Sequence, residues 1–169
     1  MLPKPATPPL ELSSPRPVVL LDIDGVINVF QCSHARDVVV APYLPTLKLL
    51  PDLSAALALL NTHATIVWCS TWGQLVNLDA ATVWGLGARP IIEPTPEEAP
   101  QRDWKALAVR RTFSRWPGRI VWVEDGFRPA ARSWASQRLA AGAPTRLVDV
   151  TDSGLTLPIA EDIADWIQQ

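Results

Sequence analysis

Three short apolar runs, each closed by residues able to do chemistry, constrain the fold of this chain more than any other feature. Val18-Val19-Leu20-Leu21 runs into Asp22-Ile23-Asp24-Gly25, Ala64-Thr65-Ile66-Val67-Trp68-Cys69 into Ser70-Thr71, and Arg119-Ile120-Val121-Trp122-Val123 into Glu124-Asp125. Apolar runs without polar alternation fit strands covered on both faces, as in a parallel sheet clothed by helices. In such sheets the reactive groups gather at the carboxyl ends of the strands.

Helical stretches separate the runs. Leu53 to Leu60 is rich in Ala and Leu behind Pro51, and Trp72 to Trp84 follows Ser70 or Thr71 as a cap and stops near Gly85 and Gly87. Trp104 to Trp116 ends at Pro117-Gly118, Pro129 to Ala141 ends at Gly142, and a late strand, Thr145 to Val150, precedes a helix from Pro158 to Ile167. The alternation predicts an α/β fold with a mostly parallel central sheet. Asn28 to Pro45, with Val38-Val39-Val40 inside it, reads as a small flap or hairpin after the first strand, and Glu93 to Pro100 as an acidic, proline-broken surface loop.

A length of 169 residues suits one domain, and 48% hydrophobic with 19% charged residues suits a folded chain. Residues 1–17, with prolines at 3, 5, 8, 9, 15 and 17, read as a disordered, partly extended lead-in to a single domain over 18–169. The lead-in lacks the apolar run of a secretory signal, and no apolar stretch approaches the ~18 residues of a membrane span. A net charge of −2 argues against gripping nucleic acid through the overall field. Cys32 and Cys69 form neither a CxxC nor a Cys/His cluster, which fits reduced thiols and a cytoplasmic setting.

Asp22 and Asp24 leave a buried strand two residues apart, with Gly25 permitting a turn. Such a pair can divide labour, one carboxylate attacking phosphorus while the other protonates the leaving oxygen and then activates water. A phosphate approaching two anions needs an intervening cation, and Mg2+ is suited to carboxylates plus substrate oxygens. A calcium loop also begins D-x-D, but Val26 and Ser33 occupy its fifth and twelfth positions, where oxygen ligands are required. Ser70 and Thr71 at a helix start could cradle an anion or simply cap the helix. Lys105 could bridge phosphate and carboxylate, and Glu124 and Asp125 are candidate metal ligands.

Taken in order, Asp22-x-Asp24-Gly25, Ser70, Lys105 and Glu124-Asp125 resemble the four-part layout of the haloacid dehalogenase superfamily, over roughly Val18 to Asp125 and on toward the last helix. The resemblance implies a three-layer, Rossmann-like fold and a Mg2+-dependent phosphatase. Asp22 would be the nucleophile forming an aspartyl-phosphate, and Asp24 the general acid and base that also lends its backbone carbonyl to the metal. Ser70 and Thr71 would bind the phosphoryl group, Lys105 would neutralise charge, and Asp125 would complete the metal site with Glu124 as ligand or outer partner. The family more often has two aspartates where Glu124-Asp125 stands. The acid at Asp24 favours phosphate chemistry over dehalogenation.

Neither residues 25–69 nor residues 72–104 leave room for a large cap domain beside their helices. The resemblance is therefore to small capless or minimal-cap members, with an open site fit for a bulky phosphate ester: a nucleotide, a nucleic-acid end or a phosphoprotein. The D-x-D-G-V-x-N start and Trp72 resemble relatives assigned to RNA repair. Trp72 could stack on a base or pack under the flap, and His34 in the flap could touch substrate. Trp68 and Trp122 are expected in the core, and the cations Arg102 to Arg119 on a basic or merely solvated face. No membrane contact and no stable protein partner is predicted. The competing readings are a non-catalytic module that binds phospholigands in a retained pocket, and a phosphoryl mutase, which an open site disfavours.

Overall fold

The computed structural model describes residues 6–30, 32–38, 46–78 and 83–169. Strand β1 (Val18–Leu21) is buried at every residue, as its unbroken run of Val and Leu requires. It lies between β4 (Thr65–Trp68) and β5 (Ile120–Glu124), and β6 (Thr145–Asp149) extends the far edge, giving a sheet ordered β4-β1-β5-β6. All three pairings are parallel, with Val18 opposite both Thr65 and Ile120 and Ile120 opposite Thr145. This register brings the carboxyl ends of β1, β4 and β5 to one edge.

Alternate residues of these strands feed two cores. Val19, Leu21, Ile66, Val121 and Val123 face one way, onto helices α1 (Leu53–His63) and α4 (Leu157–Gln168). Val18, Leu20, Val67, Ile120 and Trp122 face the other, onto α2 (Trp104–Thr112) and α3 (Pro129–Ala140). The molecule is thus the expected three-layer, Rossmann-like α/β fold. Helix α1 buries Leu53, Ala56, Leu57 and Leu60, and α4 buries Ala160, Ile163, Ala164 and Ile167, each one stripe at helical spacing. Each fully buried Leu or Ile contributes about 1.5–3 kcal/mol. Asp52 accepts the Leu157 N–H at 2.8 Å, so the turn before α1 also caps α4.

After β1 the chain forms a hairpin of β2 (Arg36–Val38) and β3 (Leu47–Leu49), antiparallel with Asp37 opposite Lys48. This is the expected flap, although its second strand falls beyond Pro45; residues 31 and 39–45, including Val39 and Val40, lie outside the described residues. Between β1 and β4 the described residues hold only this hairpin and α1, so no large cap is present among them.

The helix expected over Trp72 to Trp84 is replaced at its start by a 3-10 turn, Gly73–Asn77, while residues 79–82 lie outside the described ones. Gly73 has φ +52°, which an α-helix does not admit. At the turn's end Asn77 is buried, accepts the Trp68 indole N–H at 3.1 Å and the Arg89 N–H at 3.0 Å, and donates to the Arg89 carbonyl at 2.8 Å. Those bonds draw Asn77 toward the sheet and the 88–92 segment, where Ile91 bridges to Trp68 and adds a parallel contact that the sequence reading did not anticipate.

Of the proline-rich lead-in, residues 1–5 lie outside the described residues, and 6–17 carry neither helix nor strand. Leu10 and Leu12 nevertheless pack against the second core, and the Arg16 guanidinium donates to the carbonyls of Asn61, Thr62 and Ala64 at the end of α1. Among the described residues no helix is long and apolar enough to cross a membrane.

Candidate active site

At the shared carboxyl edge, Asp22 follows β1, its backbone N–H still reaching the Val123 carbonyl at 3.4 Å. Asp22 is 6% exposed, and its carboxylate meets Lys105 Nζ at 2.7 Å. Lys105 comes from the first turn of α2 and also ion-pairs with Glu124, the last residue of β5. Asp22, Glu124 and Asp125 present carboxylate oxygens that all lie within 4.8 Å of one another. Segments far apart in the chain therefore meet because parallel register and one helix start deliver them to the same edge.

The electrostatics follow from that crowding. Burial, then the charge of Asp22, push the Glu124 carboxyl up to about 8, with Lys105 opposing the shift. Burial and Asp22 also raise Asp125. Burial disfavours a charged Lys105, but the carboxylates of Asp22 and Glu124 outweigh it and hold the ammonium above its ordinary range. Cys69 beneath the site is fully buried, which raises its thiol and leaves it a neutral core residue.

Gly25 makes the approach of Asp125 feasible. A Cβ at Gly25 would lie 2.2 Å from Asp125 Oδ2, and its φ of +80° already favours glycine. Thr151 secures Asp125 from the other side, its hydroxyl donating to the Asp125 carbonyl at 2.8 Å. Glu124 Oε2 is buried and has no hydrogen-bond partner, an unusual state for a carboxylate oxygen. Three hard oxygen donors, one of them orphaned, fit a divalent cation such as Mg2+.

The carboxylate of Asp24 is held apart from this cluster. Asn28 Nδ2 donates to Asp24 Oδ1 at 2.9 Å, and the Trp72 indole N–H to Asp24 Oδ2 at 2.9 Å. Asn28, 1% exposed, also accepts the Lys48 N–H at 2.9 Å, tying the acid to the flap. The sequence reading gave Trp72 a role toward substrate or flap and Asn28 none, although both stand in the quoted motif; the available signal was an amide four residues from Asp24 in a tight turn.

Ser70 is buried, with its hydroxyl accepting the Trp72 N–H at 3.4 Å. With exposed Thr71 it lines a cleft of about 490 Å3 that Trp104, the neighbour of Lys105, also borders. The cap position belongs to Trp72, without a side-chain cap bond, so Ser70 and Thr71 precede a 3-10 turn and not an α-helix. His34 is exposed on the flap and joins none of these contacts. Of the cations in 102–119, Arg111 is paired with Glu98 at 2.9 Å and Arg119 lies over the Trp166 ring, so the segment is not one free basic face.

The family model for the HAD domain in Swiss Army Knife RNA repair proteins matches residues 18–167. The chain belongs to this family. As a HAD domain of small, minimal-cap size it falls in a group that is generally hydrolytic. No curated protein and no solved structure matches the chain.

Proposed function

We propose that this HAD domain is a Mg2+-dependent phosphatase that acts through an aspartyl-phosphate on Asp22, on a monoester carried by a bulky substrate, with an RNA end as the favoured one. The observation that carries the reading is the division between two carboxylates: Asp22 is engaged by Lys105 and grouped with Glu124 and Asp125, whereas Asp24 is held separately by Asn28 and Trp72. RNA enters through the printed description of the family and through the absence of a large cap among the described residues.

In this reading an Asp22 carboxylate oxygen attacks phosphorus, the P–O bond to the substrate breaks, and Asp24 gives its proton to the departing oxygen. Asp24 then takes a proton from water as that water attacks phosphorus, releasing inorganic phosphate and restoring Asp22. Ser70 and Thr71 orient the phosphoryl oxygens, and Lys105 offsets negative charge as the acyl-phosphate forms. Asp22, Asp125 and the Asp24 backbone carbonyl would hold Mg2+, with Glu124 as ligand or neighbour. Bound there, Mg2+ would polarise phosphoryl oxygens and relieve repulsion between the substrate and the acidic cluster.

Hydrolysis of an aryl phosphate in the presence of Mg2+, abolished by chelator, is the direct test. Asp22→Asn keeps the volume of the side chain and should reduce kcat by about 10³-fold or more. Undiminished turnover in that variant would end the proposed mechanism.

A further inference from the structure

Between the N-termini of α2 and α3 a cleft of about 280 Å3 opens off the Asp22–Lys105–Glu124 contact, and its outer wall is made by Arg102, Trp104, Phe127 and Arg128. Neither helix carries a side-chain cap bond, and neither has an acid in its first turn. The Trp104 N–H at the start of α2 is taken by the Gln101 carbonyl, and at the start of α3 Pro129 has no N–H and Ala131 donates to the Arg128 carbonyl, so the positive charge of the outer wall comes from Arg102 and Arg128, with Asp103, the N-cap residue of α2, beside them. Arg102 and Arg128 are exposed; among the described residues the one ion pair they form is a loose contact of 3.8 Å between Arg128 Nε and Asp103. Deeper in the same cleft, Trp122 is 2% exposed and its indole N–H has no partner. Trp104 also borders the Ser70–Thr71 cleft, so it stands between the proposed phosphate-holding hydroxyls and this space.

We infer that this cleft is a subsite for the nucleotide next to the reacting end of a single-stranded RNA. Its phosphodiester is held by Arg102 and Arg128, and its base lies against Trp104. This deepens the phosphatase reading and rests on it for the position of the reacting phosphate. The residues around a phosphoserine in a peptide offer neither an obligatory second anion for the arginines nor a flat ring for Trp104, so the chemistry of the wall favours RNA over a phosphoprotein.

The test is binding of a fluorescent ribo-oligonucleotide bearing a terminal phosphate to the full chain, followed by polarisation over a range of salt. The double variant Arg102→Ala/Arg128→Ala should bind it at least tenfold more weakly, with the salt dependence shallower by about 0.7 for each phosphate left without its arginine. Trp104→Leu should weaken binding while leaving that salt slope in place. The ratio of kcat/KM for the oligonucleotide to that for an aryl phosphate should fall about tenfold in the double variant. The subsite is overturned if the double variant binds as tightly as the parent, if the parent does not distinguish the oligonucleotide from a mononucleotide, or if it prefers a phosphopeptide. Absent aryl phosphate hydrolysis would sink the phosphatase reading instead, because binding reads the subsite without turnover.

Discussion

Asp24 owes its position to two donors of different kinds, the Asn28 amide and the Trp72 indole, and neither is itself placed to react. Trp72→Phe removes one donor while keeping most of the ring. Leaving-group protonation should suffer, with kcat for a poor leaving group falling about tenfold and an activated aryl phosphate much less affected. Equal losses on both substrates would show that Trp72 supports something other than the acid. Gly25 presents the opposite situation, a residue defined by what it lacks. Gly25→Ala sets a Cβ against Asp125 at 2.2 Å on a backbone with φ +80°, so it should cost about 1–3 kcal/mol by chemical denaturation and weaken Mg2+ binding together. At this scale the carboxylates and hydroxyls of the candidate site were legible as residue types at strand ends, and Lys105 as a cation at a helix start. Their helpers were not, because Asn28 and Trp72 become partners of Asp24 only through a turn whose shape depends on the flap.

The regular elements were readable wherever burial on both faces or one helical stripe left a strong pattern, as in β1, α1 and α4. The stretch after Trp72 misled, since its apolar residues satisfy a helical period while Gly73 and Asn77 impose a 3-10 turn. What decides there is tertiary: the Asn77 side chain is bonded to Trp68 and Arg89, which fixes the end of the turn against the sheet. Asn77→Ala would leave a buried indole N–H and a backbone carbonyl without those partners, at a cost of about 2–4 kcal/mol. Denaturant unfolding checks this, and a change below about 0.5 kcal/mol would mean that the turn is set by Gly73 alone. The bridge of Ile91 to Trp68 was invisible for a related reason, because a two-residue pairing leaves no periodicity to read.

For the whole molecule, the consequence of parallel register is a concentration of negative charge at one edge, with Lys105 set against Asp22 and Glu124. Burial and repulsion raise Glu124 and Asp125, so the fold carries an unfavourable site that a cation would relieve. At about 100 times its dissociation constant, Mg2+ should stabilise the protein by about 2.7 kcal/mol, or roughly 5–10 °C in Tm. Asp125→Ala should lose most of that increment in a thermal scan, and a parent Tm indifferent to Mg2+ would exclude a specific site. The three-layer architecture followed from the sequence, since strand–helix alternation expresses topology directly. The cleft between α2 and α3 did not, because Arg102 and Arg128 come from separate elements and only packing brings them to one wall.

The most direct measurement is peptide mapping by mass spectrometry after acid quench of the protein turning over a phosphate ester with Mg2+. A phosphate-mass adduct on Asp22, absent in Asp22→Asn and present at raised occupancy in Asp24→Asn, is the predicted result. Turnover with no covalent adduct, or with the adduct on another residue, would contradict the account.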